Sequence, residues 1–74
     1  MTKEKIRLIY PPNLLDVPVI NQLIRRYDLS INILRAQVTP QEGWVDIQLS
    51  GNTAAIEDAM AWLTGQGIEV QRLA

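Results

Sequence analysis

Cysteine and histidine are both missing from this 74-residue chain. Their absence excludes disulfides, thiolate or imidazole metal ligands, thiol nucleophiles and imidazole acid-base chemistry together. Charge of one sign is missing too. Seven Lys and Arg stand against eight Asp and Glu, a formal net charge of -1, which is no electrostatic footprint for nucleic acid. The longest unbroken apolar run, residues 59–63, falls far short of the roughly 20 residues a membrane helix needs, so no membrane insertion is expected. The opening MTKEKIR is charged and leads into an alternating segment rather than an apolar signal region, which makes a cytoplasmic location the expectation.

What is present is one domain's worth of core-forming residues. Hydrophobic residues reach 47% of the chain, and no linker or low-complexity stretch divides it, so residues 1–74 are expected to form one folding unit. A domain this short buries only about 60% of the surface its unfolded chain exposes. Packing, or a partner chain, must supply its stability.

Periodicity orders six elements. Over residues 4–10, Ile6, Leu8 and Tyr10 alternate with Lys5, Arg7 and the exception Ile9 as in a half-buried strand, and Pro11 and Pro12 end it. Asp16 is the candidate cap of a first helix, with Val17, Ile20, Leu23, Ile24 and Tyr27 at helical spacing. Residues 30–39 read as strand two, and residues 40–43 as a hairpin connection. Val45, Ile47 and Leu49 alternate in strand three. Asn52 or Thr53 caps a second helix with Ile56, Ala59, Met60 and Leu63 on one face. Gly67 suits a left-handed position at its end, and residues 68–73 form a last strand. The order βαββαβ predicts an α+β, ferredoxin-like sandwich: a four-stranded antiparallel sheet with strands one and three central and both helices on one face.

The polar face of that sheet carries Lys5, Arg7, Asp46 and Gln48, and places Arg7 beside Asp46. Strand two, SINILRAQV, breaks the alternation. If Leu34, Ala36 and Val38 face the core, Ile31 and Ile33 are left exposed on an edge strand unless a bulge rotates them. Such an edge is a template for pairing with another chain.

Most chemistries hosted by βαββαβ domains lack their residues here. There is no CxxC for a metal carrier. Trp44 is the only aromatic expected on the open face, too few for base stacking. PPNLLD after strand one offers no cation for an acylphosphatase-like anion loop. No base and nucleophile pair can be named, so no enzyme and no cofactor are expected. Glu57 and Asp58 read as a solvated helix face. Trp62 lies beside the core stripe of helix two and reads as packed at its margin.

The pieces RRYDLSINILRAQ, a Gly hairpin, a strand ending LSG, and AIEDAMAWLTGQGIEV, taken in this order and spacing, resemble the NIL domain, a relative of the ACT regulatory fold. The resemblance spans the chain. It implies the amino-acid-binding regulatory module found at the carboxyl end of methionine-importer ATPases and ahead of iron-sulfur ferredoxin domains. It assigns Asn32, Ile33 and Leu34 to the ligand site near the interface between paired domains, methionine being the favoured ligand. A transporter ATPase or ferredoxin-type protein would be the regulated partner; should the 74 residues be complete, the domain acts by association.

A homodimer is expected to form through Ile31, Ile33 and Arg35 of strand two. Two local readings stay open: Asn32 as a ligand contact or as a left-handed turn residue, and Arg35 as a carboxylate clamp or as a solvated partner of Asp46. An interaction module without any ligand, using the same edge, is the alternative function.

Overall fold

Strands that alternate cleanly have one face for a core and belong in the middle of a sheet covered on one side. In the computed structural model of the chain, which describes residues 1–73, β1 (Thr2–Tyr10) and β3 (Gly43–Gly51) hold those central places. β2 (Ser30–Val38) and β4 (Glu69–Arg72) are the edges, in the order β2-β3-β1-β4. All neighbours are antiparallel. Ile6 lies opposite Ile47 and Leu8 opposite Val45, so the apolar parities of β1 and β3 coincide. Two helices, α1 (Val19–Arg26) and α2 (Thr53–Gly65), cover that face and complete the ferredoxin-like α+β arrangement.

Strand residues Ile6, Leu8, Ile47 and Leu49 are fully buried against Val19 and Leu23 of α1, Ile56, Ala59 and Leu63 of α2, and Ile68. Each such side chain contributes about 1.5–3 kcal/mol relative to an exposed one. α2 forms as the sequence expects. Asn52 Oδ1 accepts a hydrogen bond from the Ala55 N–H at 2.7 Å, and the buried stripe is Ile56, Ala59, Met60 and Leu63. Gly67 takes φ +95°. From there the Gly67 N–H reaches the Thr64 carbonyl (3.1 Å) and the Ile68 N–H the Leu63 carbonyl (3.2 Å), a Schellman closure that only a residue tolerating positive φ completes cheaply.

α1 departs from expectation. Asp16 does not cap it. A short 3-10 turn, Pro12–Leu14, follows β1, and the helix begins only at Val19, with no side-chain cap. Pro18 is the reason: it pushes Val17 out of the helical region, so the first helical bond runs from the Gln22 N–H to the Pro18 carbonyl (3.0 Å). The late start rotates the buried face onto Val19 and Leu23 and leaves Ile24 half exposed.

β4 closes the sheet from the far end of the chain. Its Val70 lies opposite Leu8 and its Arg72 opposite Ile6, and the Leu73 N–H donates to the Lys5 carbonyl at 2.8 Å.

Candidate functional site

The conflict within strand two is resolved by a bulge. Ile31 and Ile33 lie opposite Leu49 and Ile47, and then Arg35 lies opposite Asp46, Ala36 opposite Val45 and Val38 opposite Gly43. Leu34 is the extra residue between Ile33 and Arg35, with no place in the alternation. Ile31, Ile33, Ala36 and Val38 therefore all face the helix side, while Asn32, Arg35 and Gln37 face the open side. Placing Leu34 in the core and Ile31 and Ile33 on the open face is thus corrected, because one inserted residue reverses parity partway along the strand. Asn32 lies within β2, and no residue other than glycine has positive φ among the described residues, which removes the turn-residue reading of Asn32.

The helix side of β2 is only partly covered. Ile31 packs against the core, but Ile33 is 57% exposed, and Leu34 and Val38 are exposed beside it. With two turns, α1 is too short to reach over this edge, and its Ile24 joins the apolar patch. A groove of about 450 Å³, lined by Tyr10, Val17, Ile20, Ile24, Val38 and Val45 among others, opens between α1 and the start of β3. Burial in this region pushes the Tyr10 hydroxyl's pKa up. The groove was not legible in sequence. Its only signal is the excess of apolar residues in α1 and β2 over what a two-turn helix can bury.

On the open face, Asp46 is the centre of a three-residue ion cluster. Arg7 donates from Nε to Oδ1 (2.7 Å) and from Nη2 to Oδ2 (3.0 Å), and Arg35 donates from Nε to Oδ2 (2.9 Å). Both guanidiniums lie over the Trp44 ring, with Cζ 4.4 and 5.5 Å from its centroid. Asp46 is only 2% exposed. The Arg7 pairing expected from parity is present, and of the two readings of Arg35 the pairing with Asp46 is found. Lys3 and Lys5 share this face with Arg7, opposite Ser50 and Gln48, and Glu69 adds a carboxylate. The face thus holds four cations against two carboxylates, although the chain as a whole is slightly acidic.

The hydrogen bonds from Arg7, opposed by burial and helped by the one from Arg35, lower the Asp46 pKa from 3.8 to about 2. A carboxyl depressed in the folded state contributes stability that is complete above the unfolded value and is lost as pH falls towards the folded one. Wild type should therefore be more stable than Asp46→Asn at pH 6, with the difference closing between about pH 4 and pH 2. Urea midpoints for both proteins across that range check it; a gap that persists at pH 2 contradicts the ion-pair account.

Elsewhere the surroundings are structural. Trp62 meets Tyr27 edge-on, with centroids 6.5 Å apart, and Arg26 lies 5.1 Å above its ring. Glu57 accepts from Arg72 at 3.3 Å and is exposed with Asp58. Among the described residues no group of three or more carboxylates gathers that could hold a metal ion, and no helix is long and apolar enough to cross a membrane.

Three comparisons with known proteins bear on this edge. A family model described as NIL domain matches residues 4–72. The chain is similar to the methionine import ATP-binding protein MetN of Helicobacter pylori, 26% identical over 97% of this chain and 23% of that one. It is similar to MetN 1 of Paraburkholderia xenovorans, 31% identical over 92% of this chain and 21% of that one. It therefore spans less than a quarter of these relatives. An uncharacterized protein of Synechococcus elongatus is 33% identical over 95% of this chain and 90% of its own length. Among solved structures, the C-terminal domain of an ABC transporter ATP-binding protein from Enterococcus faecalis superposes with a TM-score of 0.82 at 20% identity, covering 96% of this chain and 83% of that one, which is a likeness of fold.

Proposed function

Because the chain belongs to the NIL domain family, we propose that it is a non-enzymatic regulatory module that binds a small amino acid, L-methionine first, at a homodimer interface built on β2. The observation that carries this reading is the unpaired β2 edge bearing Asn32, Ile33 and Leu34, all exposed. Asn32 presents an amide, donor and acceptor together, to a ligand's ammonium and carboxylate. The bulged Leu34 supplies apolar surface for a thioether, and Ile33, which faces the helix side opposite Asn32, joins it only where the ligand reaches around the strand edge. Ile31, Ile33 and Arg35 meet the second copy, and sheet continuity across β2 satisfies the backbone groups that the edge leaves open. The names of the relatives support a methionine-import ATPase as the regulated partner in a cytoplasmic setting. A ferredoxin-type protein is the other partner class.

Calorimetry with L-methionine, leucine and S-adenosylmethionine, run with sedimentation in the presence and absence of each, tests the proposal. The expected result is saturable heat for methionine and a dimer tightened by it. Asn32→Ala should weaken binding about tenfold, the worth of one to two lost hydrogen bonds, with an unchanged melting curve. A dimer indifferent to all three compounds would leave the alternative, an interaction module whose exposed apolar edge is its whole function. The patch formed by Ile24, Ile33 and Val38 favours that reading if no ligand binds.

A further inference from the structure

We propose that Arg35 is the anchor for the ligand's α-carboxylate, an assignment that rests on the amino-acid-sensing reading. Strict alternation would put residues 32 and 35 on opposite faces of β2. The bulge at Leu34 puts both on the open face, opposite Gln48 and Asp46 of β3. A hydrogen-bonding amide and a cation are thereby brought to one side of the same edge, next to the apolar bulged side chain.

Arg35 is not needed to neutralise Asp46. Arg7 already holds both carboxylate oxygens, so the second guanidinium leaves the cluster with one positive charge in excess. Arg35 engages Asp46 through Nε alone (2.9 Å). Its Nη1 and Nη2 donors have no protein partner among the described residues, and its side chain is 69% exposed. Trp44 lies against the guanidinium, 5.5 Å from Cζ to the ring centroid, and limits the planes it can adopt. The result is a pre-oriented terminal fork of two nitrogens, the geometry that takes a carboxylate in a bidentate pair. Asn32, on the same face, is left to accept from the ammonium.

An ion pair in water contributes little, and one shielded from solvent contributes more. The Arg35 fork therefore holds a carboxylate weakly on a lone protomer and more tightly once a second copy at β2 excludes water.

Calorimetry of wild type, Arg35→Gln and Arg35→Lys with L-methionine and with L-methioninol, which lacks the carboxylate, isolates the contact. All measurements are made at concentrations where sedimentation finds each protein in the same oligomeric state, and melting curves verify the fold. Wild type should bind methionine at least tenfold more tightly than methioninol. Arg35→Gln should lose at least tenfold for methionine and less than twofold for methioninol, with Arg35→Lys, which keeps charge but not the fork, in between. Equal losses for both compounds, or no loss for either, overturn the assignment while the sensing reading stands. A wild type that binds no methionine overturns both.

Discussion

Ile47→Ala is expected to lower the unfolding free energy by about 2–5 kcal/mol, seen as a fall in urea midpoint at unchanged slope. Ile47 sits in β3, fully buried, between Ile6 of β1 on one side and Ile33 of β2 on the other. Truncation removes transfer free energy and leaves a cavity under both helices that the flanking strands cannot close without breaking register. A domain of this length has about 4–11 kcal/mol in total. A single side chain therefore accounts for a large part of it. A shift of less than about 1 kcal/mol would mean that the centre of the sheet is not the packed core described here.

Ile33→Lys should do the opposite: leave the fold within about 0.5 kcal/mol of wild type and abolish self-association. Ile33 lies directly across the ladder from Ile47, yet more than half of it is exposed. The same residue type on the same face thus has two fates, because α1 ends before it can cover β2. If β2 pairs with β2 of a second copy, an ammonium at position 33 stands in the middle of the joint and must be desolvated. Sedimentation of the variant should give a monomer at concentrations where wild type dimerises, with the dissociation constant raised at least about a hundredfold, given the several kcal/mol that burying an unpaired charge costs. A variant that dimerises as well as wild type would move the interface away from this strand.

Much of the fold was legible because its signals are local and redundant. The period of two in β1 and β3, the stripe of α2, the Asn52 cap and the Gly67 terminator each arise from residues near one another in sequence, and each is found where expected. α1 was misread at its start because two signals compete there. Asp16 offers a cap, but Pro18 forbids the backbone that would use it, and the proline prevails. In β2 the sequence displays a contradiction between two runs of apolar parity without saying where it is resolved. A bulge can follow any of several residues, and only the register against β3 puts it at Leu34. The Arg7 and Asp46 pair could be inferred from adjacent strands of known parity. For Arg35 two readings stay open in the sequence, and its pairing with Asp46 is found; what the bulge changes is the facing of Ile31, Asn32 and Ile33.

The pairing of β1 with β4 has a bearing on how this domain is made. Of this domain's four strands the first to be synthesised is a central one, and the neighbour on its second side is the last. The hairpin of β2 and β3 closes through sequence-local contacts and forms early, but nascent β1 waits with one margin unpaired until residues 69–72 emerge. During that interval the growing polypeptide is most open to misassembly on crowded polysomes, where identical unfinished strands lie side by side.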